Sequence, residues 1–226
     1  MCIWNFFFGI YLLLQIKFFK MSLKKAYFLV LLLLLIDQAS KIYIKTHFVL
    51  QERIKVLDQN WFQIFFIENE GMAWGVELPG EYGKLFLTLF RILAVGGIAY
   101  WLHDSVKKHG SNYLIVAIAL ILTGAFGNII DSVFYGIIFD DSYGKVATLF
   151  SDEPYGTLFH GKVVDMFYFP IIEDYVLPSW LPIWGGKEFT FFNAIFNVAD
   201  MAISTGVGIL IVFNKKAFEN DHNEHN

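Results

Sequence analysis

The residues of this sequence that could do chemistry are acids and amides standing inside apolar runs. In the run 191–213, Asn193, Asn197, Asp200 and Ser204 stand at i, i+4, i+7 and i+11, so an uninterrupted helix would carry them on one face. Gly124, Asn128 and Asp131 repeat the i, i+4, i+7 spacing at the end of the run 113–130, with a small residue where helices can approach closely. Asp37 and Lys41, four apart in the run 26–44, are spaced for a salt bridge. A charged side chain in a membrane span costs at least about 2.5 to 3.5 kcal/mol on insertion scales, so such groups persist where they pair or line a wet cavity. Asp37 with Lys41 reads as a structural ion pair. Asp200 has no basic residue within reach on its own helix, and a buried carboxylate of that kind reads as a working proton donor or acceptor. Arg91, about two turns into the run 85–102, can snorkel or pair with one of the acids.

The elements that must position these groups belong in lipid. Of 226 residues 56% are hydrophobic, 19% aromatic and only 17% charged, and the mean hydropathy is +0.52; the apolar residues are gathered into runs, unlike those of a soluble core. A net charge of −4 without a basic block excludes nucleic acid as a partner. Cys2 is the only cysteine, so neither a disulfide framework nor a thiolate cluster is available. Four runs, 26–44, 85–102, 113–130 and 191–213, are long enough or nearly so for a hydrocarbon core of about 30 Å, predicting an all-α membrane bundle of four spans within one domain, 21–213. Lys24 and Lys25, Lys107 and Lys108, and Lys215 and Lys216 flank positions that an even number of spans puts on one side, so both termini and the tail 214–226 are expected in the cytoplasm. The three polar clusters then converge near the outer membrane face.

Residues 1–20 carry a shorter apolar run, Ile3 to Ile16, followed by Met21. Two readings stay open: an upstream extension preceding an initiator at Met21, or an interfacial helix. The aromatic and β-branched run Trp61 to Ile67 predicts a strand lying at the membrane face, part of a small β-rich cradle above the helices.

The polar clusters sit in five short motifs whose order resembles that of the lipoprotein signal peptidases, the signal peptidase II family. They are Asp37-Gln38-Ala39-Ser40-Lys41, Asn69-Glu70-Gly71-Met72-Ala73-Trp74-Gly75, Gly124 to Asp131, Val163-Val164-Asp165, and Phe196-Asn197-Val198-Ala199-Asp200. The resemblance spans roughly residues 23 to 213. It implies an aspartic endopeptidase of the bacterial inner membrane that cuts diacylglyceryl-modified prolipoproteins before the lipid-bearing cysteine. Asp165 and Asp200 would be its catalytic pair; Asn69, Asn128, Asn197 and Asp131, with Asp37 and Lys41, would orient dyad and substrate. Gly71 and Trp74 would belong to a loop closing over the lipopeptide. Two carboxylates held close share a proton, so one can deprotonate water while the other protonates the carbonyl and the leaving amine. No metal or other cofactor is required, the partners are prolipoprotein and membrane lipid, and a monomer is expected.

The sequence departs from the family pattern in places. Ser132 stands where the family has an arginine, and Thr123-Gly124 where it has two glycines. A long segment, about Ile137 to His160, separates Asp131 from Asp165; its acids Asp140, Asp141, Asp152 and Glu153 lack the spacing of a metal site, and it is expected to be a solvated extracytoplasmic loop. Lys162, three residues before Asp165, is the first candidate to supply the missing cation, and Lys145 the second. A transporter or ion-conducting protein is the competing function, because intramembrane acids also mark solute paths; the sequence has no inverted repeat. All six histidines lie outside the middle of the spans and HExxH is absent, which disfavours zinc or serine-histidine hydrolysis.

Overall fold

The computed structural model describes residues 20–70, 83–191 and 193–219. Runs of Leu, Ile, Phe and Ala form helices readily, and a helix satisfies its own backbone groups, which lipid demands. Three helices result: α1 (Leu23–His47), α2 (Gly83–Lys107) and α3 (Asn112–Ile130), the last continued by a π-helical segment (Asp131–Tyr135) and one α turn (Gly136–Ile138). Each is long and apolar enough to cross a membrane.

The fourth run differs from expectation. Residues 188–191 and 195–196 are strands, and the helix α4 (Val198–Val212) starts only after them, followed by α5 (Asn214–Phe218). The residues of this stretch are aromatic and β-branched, which suits a pleated surface, and its last pair bonds to a neighbouring strand. Asn193 and Asn197 therefore leave the helical face that their spacing predicts.

The chain divides into two compact units. The helical unit comprises Met1–Asp37, Leu87–Ile129 and Val198–Asn226. In it α3 packs on α4 through small residues: a methyl group on Gly124 would collide with the Ala199 carbonyl, and one on Gly206 would lie 2.6 Å from the Ala117 carbonyl oxygen. Helix ends are tied by hydrogen bonds, from the Met21 N–H to Asn112 (2.8 Å) and from the Ser111 hydroxyl to the Ala217 carbonyl (2.9 Å).

The second unit, Gln38–Phe86 and Ile130–Asn197, is built on a sheet. Strands β1 (Arg53–Lys55), β2 (Gln63–Asn69), β3 (Val163–Tyr168) and β6 (Ile195–Phe196) pair antiparallel in the order β1-β2-β3-β6. The strand predicted at Trp61 to Ile67 is thus present, shifted two residues along. A separate hairpin pairs β4 (Ile172–Val176) with β5 (Glu188–Phe191). Ile44, Phe66, Tyr135, Phe139, Ala147, Val164 and Met166 form the core.

Two of those core residues correct the reading of the inserted segment. It is solvated only in part: Phe139 and Ala147 enter the core, Ser142 is fully buried, and bridges pair Val49 with Val146 and Phe139 with Leu149. Its acids Asp141, Asp152 and Glu153 face outward, as their charge requires, together with Tyr143, Lys145 and Phe150.

Candidate active site

Asp165 is the centre of the polar groups in the sheet unit. It stands on β3, 4% exposed, between the buried Val164 and Met166. Its two carboxylate oxygens accept from two amides: Asn69 Nδ2 at the end of β2 (3.2 Å) and Asn197 Nδ2 (2.8 Å). Asn197 also donates to the Val164 carbonyl at 3.2 Å. Because it lies just before α4 and not in it, its side chain reaches back to the sheet.

Behind Asp165 lies a fully buried ion pair. Lys41 Nζ is 2.8 Å from Asp131 Oδ2, and both side chains have no exposure. Asp131 accepts further from Gln38 Nε2 (2.9 Å) and from the Val164 N–H (3.3 Å), and Gln38 accepts from the Tyr135 hydroxyl (3.1 Å). Lys41 thus has a partner on another helix that its four-residue spacing from Asp37 did not foresee. The network fixes the backbone beside Asp165, since Val164 is the residue before it. The π-helical turn beginning at Asp131 inserts an extra residue per turn there, a feature that often accompanies functional sites.

The helical unit holds the other motif acid. Asp200, in the first turn of α4 and half-buried, accepts from Asn128 Nδ2 at 2.9 Å. Asp37 is fully buried and accepts from the Ala199 N–H at 2.9 Å, satisfying a donor that the start of a helix leaves open. Gly127 makes room for this: a Cβ there would lie 2.7 Å from Asp37 Oδ2. Arg91 lies within electrostatic range of Asp200.

Lys162 Nζ stands 3.6 Å from Glu68 and 4.0 Å from Glu70, both beyond hydrogen-bonding distance, and 5.7 Å from the centre of the Tyr155 ring. Ser132 is buried, and its carbonyl accepts from the Gly161 N–H at 2.9 Å. Lys145 instead pairs with Asp140 at 2.8 Å on the exposed edge of the inserted segment. Gly71 and Trp74 lie outside the described residues.

Sequence reasoning missed a second buried cluster. Lys45 is fully buried, bonds to Glu68 and donates to the Ser142 hydroxyl at 2.8 Å, which in turn donates to Glu68 at 2.9 Å. Tyr155 covers Lys45, and burial pushes its phenol far above the ordinary value, so it stays protonated. The signal was present: Lys41 and Lys45 share a helical face four residues apart, and Glu68 immediately precedes Asn69.

Residues 29–215 match the family described as Signal peptidase (SPase) II. The chain is 52% identical over 186 residues to a lipoprotein signal peptidase of Porphyromonas gingivalis, covering 81% of this chain and 80% of that protein. It is 37% identical over 201 residues to one of Amoebophilus asiaticus, covering 85% and 78%. A solved bacterial membrane enzyme shares the fold with a TM-score of 0.59 and 22% identity, over 92% of this chain and 97% of that one.

Proposed function

The chain belongs to the signal peptidase II family, and from that premise we propose that Asp165 and Asp200 form the aspartic dyad of a lipoprotein signal peptidase. As a member it is a membrane protease that removes signal peptides from prolipoproteins. A transporter, the competing reading of its intramembrane acids, drops out.

One observation carries the dyad. Asn197 donates to Asp165 and stands only three residues before Asp200 in the chain. Both carboxylates also accept from asparagine amides, Asn69 and Asn197 for one and Asn128 for the other. Such donors orient a carboxylate without neutralising it. In the proposed reaction the ionised member of the dyad takes a proton from water. Hydroxide attacks the carbonyl before the diacylglyceryl-cysteine, and the protonated member stabilises the new oxyanion and delivers its proton to the leaving amine. Neither step needs a cofactor. Asp131 and Lys41 fix β3, Asp37 fixes the start of α4, and Lys162 is the proposed cation toward substrate in place of the family's arginine; Gly71 and Trp74 would close over the lipopeptide.

The proposed setting is the bacterial inner membrane, with four spans, both termini cytoplasmic and the dyad near the outer face. Helix α4 supplies the apolar helix of the proposed fourth span, residues 198–212, about 22 Å at ~1.5 Å per residue. The sheet would then be the periplasmic cradle, and the enzyme works as a monomer.

The test uses purified protein and a diacylglyceryl-modified lipobox peptide. Asp165→Asn and Asp200→Asn are each expected to insert normally and to abolish cleavage before the cysteine. Substantial cleavage by either variant removes that acid from the dyad.

A further inference from the structure

The hairpin of β4 and β5 interrupts the chain between the two motif acids, and nothing in the proposed chemistry uses it. Among the described residues its strands pair with each other and with no strand of the four-stranded sheet. A two-stranded ribbon is marginally stable in water on its own. This one nevertheless carries its largest apolar side chains outward: Trp180 is 77% exposed, Ile183 83% and Trp184 60%, with Tyr175 and Val176 also exposed below them. A contiguous apolar surface of this kind marks a place that something covers.

We propose that the tip of this hairpin, residues 177–187, is a lipid anchor that inserts Trp180, Ile183 and Trp184 into the membrane interface. Three features choose lipid as the occupant. The first is composition: two tryptophans flank an isoleucine, and the amphipathic indole ring is the side chain enriched at the headgroup level of membranes. The second is charge. No acid occurs between Tyr175 and Lys187, and the single cation, Lys187, holds its ammonium 5.7 Å from the centre of the Trp184 ring, where a phosphate of the headgroup layer can meet it. A protein partner recognised through this tip would have to bury that cation.

The third feature is that part of the tip's backbone is paired within the tip itself. The N–H groups of Leu177, Leu181, Gly185, Gly186 and Lys187 donate to the carbonyls of Lys187, Pro178, Leu181, Leu177 and Trp184, at 2.9 to 3.1 Å. Internal pairing of this kind lowers the cost of moving backbone away from water. Ile183 also takes a φ of 70°, a region that a β-branched residue rarely adopts, while its side chain contacts almost nothing in the chain. Lipid supplies the missing contact. The environment is already at hand, because β5 ends at Phe191 and the apolar helix α4 begins at Val198.

The full chain, with Cys2→Ser and Ile183→Cys, is labelled with an environment-sensitive fluorophore and reconstituted into phosphatidylcholine–phosphatidylglycerol vesicles. Trp180→Cys is a second reporter, and Glu153→Cys, on the exposed edge of the inserted segment, is the reference. Nitroxide on the lipid acyl chain is expected to quench the label at 183 and at 180 severalfold more than at 153, and an aqueous nickel chelate to quench it severalfold less. Lys187→Glu should weaken the lipid quenching in these anionic vesicles and leave it unchanged in pure phosphatidylcholine. Equal access of the nickel chelate to 183 and 153 overturns the proposal. Protection from both quenchers overturns it as well, because protein and not lipid would then cover the tip.

Discussion

Asp165 and Asp200 carry the same functional group in two different kinds of support. Asp165 sits on a strand, where successive side chains point to opposite faces, so its partners must come from other segments. They do: Asn69 is 96 residues before it and Asn197 is 32 after, and a buried ion pair holds the neighbouring residue. Asp200 sits on a helix, and its amide partner Asn128 comes from one neighbouring helix that approaches closely at Gly124. The strand acid takes its amides from segments far apart in sequence and the helical acid takes one from the helix packed beside it, so damage should spread differently from the two.

The largest effect is expected behind the strand. Lys41→Met leaves Asp131 buried without its cation, and removing one partner of a buried pair costs about 3 to 5 kcal/mol. Thermal unfolding in detergent should show a large loss of stability, and cleavage should fall with it because Asp131 holds the Val164 N–H. Adding Asp131→Asn should restore part of the stability by removing the uncompensated charge. A Lys41→Met protein that unfolds like the parent would show that the pair does not support the strand.

Removing the amides compares the two acids directly. Asn197→Ala loses a bond to a carboxylate and one to a backbone carbonyl. With hydrogen bonds to charged groups at about 1.5–3 kcal/mol, kcat should drop roughly 10- to 100-fold. Asn128→Ala loses a bond to a half-buried acid, and about tenfold is expected from the lower end of the same range. KM for the lipopeptide should change little in either, since the amides face the acids. If Asn128→Ala proves the more damaging, the strand acid is not the one more dependent on its supports.

The same difference explains what the sequence made legible. Helical features repeat every three or four residues, so the spans and the polar face with Asn128 could be read locally. Asp165 offered no such pattern and was found through its Val163-Val164-Asp165 motif. Asn197 was assigned to a helix because i+4 spacing continues through it, whereas the pairing of Ile195 and Phe196 with β3 ends that helix early. The acids of the inserted segment, taken alone, predict solvation, whereas Phe139 and Ala147 bury themselves against residues far along the chain. Lys45 carries no local signal of its role, because its partners, Glu68 and Ser142, lie 23 and 97 residues away.

The smallest effect concerns the edge of the inserted segment, where Asp140 meets the exposed Lys145. Asp140 bonds to the Lys145 ammonium at 2.8 Å and accepts the Thr148 N–H. The Lys145 contact, followed by the Thr148 N–H, holds the Asp140 carboxyl below the ordinary carboxylate range, and the Asp140 contact raises Lys145 above its own. The signs then set a window. Because Asp140 is lowered on folding, its contribution is present above the unfolded carboxylate value of about 3.9 and fades as pH falls through the lower folded value. Because Lys145 is raised, its contribution is complete below about 10.4 and fades as pH rises through the higher folded value. Both are therefore present across the neutral range, and exposure and salt keep the contribution small. Asp140→Asn should speed hydrogen exchange at the Thr148 amide near neutral pH by a modest factor and leave the cleavage rate unchanged. The difference between variant and parent should shrink as the pH drops into the carboxylate range. A cleavage rate that falls with Asp140→Asn would mean that this edge, too, supports the strand acid, and that its dependence on distant contacts extends to the surface.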